Sequence, residues 1–557
     1  MKKTLFALSI FAIISSVQAQ NIIDAGRMST TDIAGTARYR SMGGAFGAIG
    51  GDPTCMIDNP AGIAIYRGTN LVSFSPTLQV ANTTTDGTEK QKDSKSSFSV
   101  SNFSFILSLR PEAAHLVNFN IGIGFNHSEG VHRRYNLTND NPTSSFGSYL
   151  AVMANNSLCA EGEYYNPGYL KTDKAWNNPN VPLMGLMGYD CYAIDDYENE
   201  EGQKLGGVEA YNIIQGLPSY QRLSVLEKNR TDEYNINLSA NFDDTFYAGL
   251  TVSIVDYNSI ITSEINEDYD YTYNGDYTQY LNDLETKGTG LNLKFGLIYR
   301  PTNSWRIGAA VHTPTWYSMR DFYNGQMITN DPRCKDYSYA NLNGPYEYRY
   351  KFHTPWEYQV STAYIFGSKA ILSFEYDLKD YTSAKYGSAD NVNYSYMNRL
   401  LRSNMKATHT FKAGLEYRVN QNFSVRGGYA HQSSPYEKQF LNDDYGCTVW
   451  SETGRYSTNW GDDRTFMYDS SKKTNYSILD DTHFFGGGIG YSTDHFFADF
   501  AVTDRMQREK VALFPTTQDV EFDKDGTCVP LPSGVISDHI NMTTHTLRYE
   551  LTLGWRF

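Results

Sequence analysis

Strict alternation of apolar and polar residues recurs along most of this chain. At the C-terminus, every second position from Leu547 to Phe557 is apolar or aromatic, and the positions between them are polar or small. A period of two is the side-chain spacing of a β-strand with two different faces. The pattern predicts fourteen strands, near residues 70–80, 97–109, 116–127, 231–242, 245–268, 286–300, 304–318, 346–366, 369–386, 406–418, 423–433, 481–491, 495–506 and 543–557.

The connections between the predicted strands alternate in length. Tight polar turns, such as 243–245 and 301–304, alternate with longer linkers, of which 128–230 is the longest. Outer-membrane barrels have an even number of strands, short periplasmic turns and longer extracellular loops. We therefore predict an all-β fold, a transmembrane antiparallel β-barrel of about fourteen strands over residues 70–557, with its apolar faces toward lipid.

The first nineteen residues predict export from the cytoplasm. Lys2 and Lys3 precede an apolar run from Leu5 to Val17, and Ala19 ends a small-residue cleavage pattern. The run is shorter than the roughly 20 apolar residues that a membrane-spanning helix needs. Residues 1–19 are therefore predicted to be a secretory signal peptide, and the barrel to lie in a cell outer membrane.

The amino-acid composition further narrows the class of protein. A mean hydropathy of -0.50, with no other long apolar stretch, argues against a helical membrane protein. The 44 tyrosines and 29 phenylalanines suit the aromatic girdles of a barrel. A net charge of -15 argues against a nucleic-acid partner.

No catalytic, metal or cofactor motif stands out. The six cysteines form no C-x-x-C pair, and the chain has neither a nucleophile elbow nor H-E-x-x-H. We expect no enzyme activity, no metal and no cofactor. Cys159 and Cys191 share the longest predicted loop, and either a disulfide between them or free thiols would fit the sequence.

Residues 20–69 lack the alternation and are rich in glycine. The stretch includes Gly43, Gly44 and Gly47 and ends in the motif Asn59, Pro60, Ala61, Gly62. Glycine permits tight bends and close backbone packing, which suits a compact plug inside a barrel lumen. A phosphate-binding loop fits poorly, because no strand precedes the glycines and their spacing is not G-x-G-x-x-G.

The same segment carries a family resemblance. The run GTARYRSMGGAFGA at 35–48, followed by NPAG at 59–62, resembles the N-terminal hatch of FadL-type transporters. Mid-barrel runs similar to that family lie at 296–301, 312–315, 354–356 and 427–436. The resemblance implies a fourteen-stranded barrel, plugged by a hatch over residues 20–69, that imports long-chain fatty acids or other hydrophobic compounds.

The resemblance also implies a transport route. Ligand would be captured on extracellular loops, pass to a lumen pocket beside the hatch, and leave sideways through a gap beside the third strand. Gly122 and Gly124 lie in the third predicted strand, where missing side chains weaken a ladder and favour a gap. Alternatively, these glycines make room for the plug.

The 128–230 loop is the candidate capture surface. Its apolar residues include a methionine-rich set, and such surfaces adapt to varied ligands. The set is Tyr149, Leu150, Met153, Met184 and Met187. Alternatively, these residues form the core of the loop itself.

We therefore expect passive outer-membrane transport of a hydrophobic small molecule by a monomer. The alternative is a surface receptor or adhesin barrel, including a haemin-type receptor, whose loops bind a ligand or host partner. Besides its ligand, the expected partners are outer-membrane lipid and the barrel assembly machinery, because the terminal Phe557 resembles the assembly signal of such barrels.

Overall fold

The computed structural model describes most of the chain. The described residues are 22–30, 32–112, 114–178, 181–198, 202–210, 217–269, 276–330, 334, 337–339, 346–389, 394–437, 476–514, 517–522, 528–535 and 537–557. The predicted signal peptide, residues 1–19, lies outside them.

Within these residues, fourteen antiparallel strands pair in sequence order, and the last pairs with the first to close a barrel. The strands are β1 (Leu71–Asp86), β2 (Lys90–Leu109), β3 (Leu116–Asn139), β4 (Tyr220–Phe242), β5 (Phe246–Tyr269), β6 (Asp276–Tyr299), β7 (Trp305–His312 and Trp316–Thr329), β8 (Tyr346–His353 and Glu357–Phe366), β9 (Ala370–Asp380 and Lys385–Ser388), β10 (Ala407–Arg418), β11 (Phe423–Gln432), β12 (Tyr476–Ser492), β13 (Phe496–Ala512) and β14 (His539–Arg556). The predicted fold class is confirmed.

The outer face of the barrel is an apolar belt. Its members are large apolar side chains with more than a third of their surface exposed, among them Leu78, Phe103, Ile123, Ile236, Leu238, Phe295, Val360, Phe411, Ile489 and Leu553. So much exposed apolar surface is stable against lipid rather than against water. Among the described residues, no helix is long and apolar enough to cross a membrane.

Several strands are longer than the alternation predicts. β3 continues from the predicted end at residue 127 to Asn139, and β4 begins at Tyr220 rather than near 231. The predicted long linker 81–96 is wrong, because β1 and β2 pair as far as Asp86 and Lys90. Beyond the membrane both strand faces meet polar surroundings, so the period of two fades although the ladder continues.

Two further groups of elements complete the fold. The N-terminal segment, residues 22–65, contains helices α1 (Ile22–Ser29) and α2 (Ala37–Ser41) and the 3₁₀ turns Pro53–Met56 and Pro60–Ile65. The loop domain between β3 and β4 contains α3 (Phe146–Glu161), α4 (Asp173–Trp176), α5 (Leu183–Asp190), the 3₁₀ turn Pro167–Lys171 and a hairpin of Ile194–Glu198 with Lys204–Ala210. Helix α6 (Ser395–Asn404) precedes β10. A 3₁₀ turn, Tyr381–Ser383, interrupts β9, and the strands Tyr337–Tyr339, Thr517–Phe522 and Cys528–Val535 lie between barrel strands.

Candidate functional site

The N-terminal segment lies inside the barrel. The Ala37 N–H donates to Thr552 Oγ1 on β14 at 2.8 Å, and the Gly47 N–H donates to Glu375 Oε2 on β9 at 2.6 Å. The Asn59 side-chain amide donates to the carbonyl oxygen of Leu297 on β6 at 3.2 Å. Because these strands are spread around the wall, the segment fills the lumen between them.

Ion pairs hold this segment to the wall. The pairs are Arg27–Glu227 at 2.7 Å, Arg38–Glu416 at 2.8 Å, Arg40–Glu550 at 2.9 Å and Asp32–Arg548 at 2.6 Å. Burial by itself would raise the pKa of Asp32, but the charges of Arg548, Arg505 and Arg40 outweigh it and lower that pKa to about 2. Asp32 is therefore a carboxylate at neutral pH, and its pairing favours one position of the segment.

A cavity of about 210 Å³ lies between the segment and the wall. Apolar side chains such as Ile33 and Val255 form part of its lining, and charged side chains such as Asp58 and Lys412 form another part. A second, smaller cavity of about 50 Å³ adjoins it, because Asp32 and Ser128 line both. Both cavities therefore reach the inner face of β3.

The ladder between β2 and β3 stops next to these cavities. The two strands pair from Leu109–Phe119 to Asn102–Asn126, and no pairing continues beyond that point among the described residues. On its other side, β3 pairs with β4 as far as Asn139. The wall therefore has a gap between β2 and β3, beginning at residue 127 of β3.

Side chains cross the gap where the ladder is missing. The Ser97 hydroxyl of β2 donates to Glu129 Oε2 of β3. Farther from the membrane, the Asn136 side-chain amide donates to Asp93 at 3.1 Å and closes the gap from above. His127 lies at the lower edge and contacts Asp232 of β4 at 2.5 Å. The Thr88 N–H of the β1–β2 turn also donates to the Thr138 carbonyl of β3 at 3.2 Å. The gap is thus closed by isolated bonds rather than by a backbone ladder.

The edge of the gap is also tied to the N-terminal segment. β3 bulges between Ser128 and Val131, and the Ser128 hydroxyl donates to Asp32 Oδ2 at 3.1 Å. Arg548 donates to Asp32 Oδ1 at 3.0 Å and to the Glu129 carbonyl at 3.2 Å. A displacement of Asp32 would therefore disturb the bulge that borders the gap.

Comparison with solved structures finds the same fold. The deltaS2 mutant of the TodX monoaromatic hydrocarbon channel matches with a TM-score of 0.50 and 11% identity, covering 95% of this chain and 100% of that chain. The chain has a FadL-type fold. The Pseudomonas putida toluene transporter TodX matches at a TM-score of 0.49, and a Pseudomonas aeruginosa FadL homologue at 0.48, both at 11% identity over 94% of this chain and 99% and 98% of theirs.

No family model matches the chain, and no curated protein matches its sequence. The likeness to solved structures is thus one of fold. Together with the apolar belt, this fold makes the protein an outer-membrane β-barrel.

The predicted hatch residues of this FadL-type barrel meet its wall at close range. Asn59 caps the turn Pro60–Ile65 by accepting from the Ala61 N–H at 3.2 Å. Gly62 packs within the segment, where a Cβ would lie 2.7 Å from Cys55 Sγ. A Cβ at Gly296 of β6 would lie 2.9 Å from the Pro60 ring. Only glycine in the wall leaves room for this motif.

Gly43 and Gly47 of the segment lie equally close to the wall. Gly43 has φ +64°, and a Cβ there would lie 2.8 Å from the Tyr429 nitrogen of β11. Gly44 has φ +76°, a backbone conformation that favours glycine. A Cβ at Gly47 would lie 2.6 Å from Ser361 Oγ of β8.

Gly122 and Gly124 lie on the third strand, β3, as predicted. They lie on the periplasmic side of the gap, where β3 still pairs with β2. Both are paired with β2 and with β4, and a Cβ at either would lie 3.0–3.1 Å from Met56 Sδ of the N-terminal segment. Their position matches the alternative interpretation, in which they make room for the segment. The gap itself arises because β2 and β3 stop pairing after Asn102–Asn126. This depends on both strands and cannot be predicted from the sequence of β3 alone.

The residues predicted to form a capture surface are buried, so they do not form a surface in this structure. Tyr149, Leu150, Met153, Met184 and Met187 are each at most 1% exposed and share one apolar core. That core also includes inward-facing residues of β6 and β7, such as Tyr280 and Met327. The loop domain therefore packs into the mouth of the barrel, and its methionines are core residues rather than a surface.

The possible Cys159–Cys191 disulfide is absent. Cys159 is disulfide-bonded, but Cys191 retains its thiol, which donates to the Met327 carbonyl at 3.4 Å. Cys55, in the N-terminal segment, is buried and is also a thiol.

Proposed function

We propose that this protein is a passive outer-membrane channel that takes up compact, largely apolar molecules and releases them sideways through the gap between β2 and β3. The single observation that carries the proposal is the end of the β2–β3 ladder at Asn102–Asn126. The lumen cavities reach the inner face of β3 beside this gap. The solved TodX deltaS2 channel, which has the same fold, is named for monoaromatic hydrocarbons, which fits this class of ligand.

A sideways route suits an apolar ligand physically. Apolar surface in water costs about 25 cal/mol per Å², so a water-filled exit would be unfavourable. The N-terminal segment fills the lumen, which obstructs a straight axial path. The gap opens at the extracellular margin of the apolar belt. Phe98 of β2 lies beside it and is exposed, whereas the exposed residues of β2 beyond Phe98, such as Ser96 and Ser94, are polar. A ligand that leaves there enters lipid directly.

The size of the cavity favours compact ligands over long-chain fatty acids. A volume of about 210 Å³ is close to that of an engineered cavity of roughly 150 Å³ that binds benzene. Sites for drug-sized ligands have roughly 300–1,000 Å³. A long acyl chain would require the segment to move first.

The contacts around Asp32 suggest how opening is controlled. Asp32 binds both Ser128 and Arg548, and Arg548 also holds the Glu129 carbonyl. When the segment moves, these bonds break together. The Ser97–Glu129 contact then remains beside the bulge, and the Asn136–Asp93 bond remains farther out. The segment thus acts as a hatch coupled to a lateral gate.

A cross-link across the gap tests this proposal. The double variant Ser97→Cys/Glu129→Cys joins β2 to β3, and initial uptake of radiolabelled toluene is measured in cells carrying the protein in their outer membrane. We expect uptake to fall to background and to recover with dithiothreitol.

The matched control is Asn82→Cys/Ser94→Cys, which joins β1 to β2 at directly paired, exposed positions. Its uptake is expected to equal that of the unmodified protein, with and without reductant. Unchanged uptake by the cross-linked Ser97→Cys/Glu129→Cys protein would reject the lateral route.

A surface receptor or adhesin is the second candidate function, and the folded loop domain is the observation that favours it. In that case neither cross-link affects uptake, and the loop domain binds its partner in both variants.

A further inference from the structure

Three residues that line the lumen cavity carry buried hydrogen-bond acceptors that the chain leaves unused. Asp58 Oδ2, Asp377 Oδ1 and Asn292 Oδ1 belong to residues that line it and have no partner among the described residues. Each of the three side chains is at least nine-tenths buried. A buried acceptor without a donor is unfavourable, so a donor-bearing molecule in the cavity would be stabilised.

Carboxyl groups outnumber ammonium groups in one part of the cavity wall. The Lys412 ammonium contacts three carboxylates, Glu375 at 2.6 Å, Asp377 at 2.8 Å and Asp58 at 3.7 Å. The other lysines of the lining also form ion pairs, Lys379 with Glu357 and Lys294 with Glu233. One ammonium cannot pair fully with three carboxyl groups, so the cluster can accept a further donor, whereas an anionic ligand would meet carboxyl groups instead of a free cation.

The rest of the lining sets the shape of the ligand. Ile33, Val255 and Phe484 supply apolar surface. The volume of about 210 Å³ suits a body of about one ring.

We propose that the cavity is a binding site for a compact amphipathic molecule, a single-ring body bearing a protonated amine or a hydroxyl, whose donor is received by Asp58 and Asp377. This inference rests on the proposed function and deepens it by naming the ligand class. A charge-assisted bond to a carboxylate makes an amine the better donor of the two.

Four probes of nearly equal size test the class. Benzylammonium, benzyl alcohol, toluene and benzoate are titrated calorimetrically into the detergent-solubilised full chain at neutral pH. The expected order of affinity is benzylammonium, benzyl alcohol, toluene, benzoate. An equal or higher affinity for benzoate or toluene overturns the inference, as does the absence of binding by all four, which would leave water as the donor.

A substitution then assigns the site. Asp377→Asn is expected to weaken benzylammonium binding about tenfold or more, because a hydrogen bond to a charged group is lost, and to change toluene binding less than about twofold. The matched control is Asp499→Asn. Asp499 is also buried and paired, with Arg426 at 2.6 Å, but it does not line the cavity. Equal losses in both variants would overturn the assignment.

Toluene uptake separates this inference from the proposed function. Uptake that the Ser97→Cys/Glu129→Cys cross-link blocks, together with no preference for benzylammonium, overturns the ligand class and leaves the channel intact. A clear preference for benzylammonium supports the site even where uptake is insensitive to the cross-link.

Discussion

The two edges of β3 are built differently. Along β4 its ladder continues from Leu116 to Asn139, whereas along β2 it is confined to Phe119–Asn126. The same strand is therefore fixed by a continuous backbone ladder on one side. On the other side, its outer half is fixed by side chains such as Glu129 and by one backbone bond at Thr138. Backbone ladders are cooperative, whereas single side-chain bonds contribute little, so the β2 edge is where the wall can open.

The largest expected loss of stability follows from a substitution on β4, which pairs with β3 from Leu116 to Asn139. Leu238 of β4 is 43% exposed within the apolar belt and sits between paired neighbours on β3 and β5. Leu238→Lys places a charge in lipid near the middle of the belt and should cost about 2–4 kcal/mol. Reversible urea unfolding in lipid vesicles measures it. A cost below about 1 kcal/mol would show that this edge does not face the hydrocarbon core.

The next largest effect concerns the contact between Asp32 of the N-terminal segment and Ser128 of β3, at the border of the gap. The pKa of Asp32 is about 2, against 3.8 for an unperturbed carboxyl. A depressed pKa stabilises the folded state above the unfolded pKa, and that stability is lost as the pH falls from about 4 toward 2. The shift corresponds to about 2 kcal/mol.

Asp32→Asn should therefore lower the free energy of unfolding at neutral pH and flatten its decline between pH 4 and pH 2. Arg548 keeps Gln79 as a partner at 2.7 Å, which limits further damage in this variant. Parallel pH profiles for the variant and the unmodified protein would contradict the role of Asp32.

A smaller loss of stability is expected from a substitution at the glycines of β3 on the periplasmic side of the gap. A Cβ at Gly124 would lie 3.0 Å from Met56 Sδ, so Gly124→Val overpacks the contact with the N-terminal segment. We expect a loss of about 1–2 kcal/mol in unfolding free energy. Adding Met56→Ala should restore part of it, because the clash is with that side chain. No recovery in the double variant would mean that the valine disturbs the ladder itself.

The alternation along the chain predicts the barrel well, because bilayer and lumen impose opposite polarity on neighbouring residues. It predicts one continuous strand over 304–318 and another over 346–366, but both are interrupted, after His312 and after His353. Pro314 and Pro355 lack the N–H that a ladder needs, and Thr315 instead donates its N–H to Thr354 Oγ1 at 2.8 Å.

Features that depend on distant partners are not predictable in this way. The glycine-rich N-terminal motif indicates close packing, and Pro60 does pack against wall glycines. The apolar residues of the loop domain are predicted as a set, but whether Met184 is exposed or buried depends on how the domain folds into the barrel mouth. The acceptors of the cavity come from segments far apart in sequence, such as Asp58 and Asp377.

The smallest expected loss of stability shows how deep in the membrane the gap between β2 and β3 lies. Phe98, on β2 beside the gap, is more exposed than Leu238, at 73% against 43%, so exposure alone would make Phe98→Lys the costlier change. Its position at the extracellular margin of the belt predicts the reverse, about 0–1 kcal/mol, because a lysine there reaches the headgroups with its ammonium. The same vesicle unfolding assay compares it with Leu238→Lys. Equal costs for the two variants would put the gap at mid-bilayer depth, and a ligand leaving through it would then enter the hydrocarbon core instead of the outer leaflet's margin.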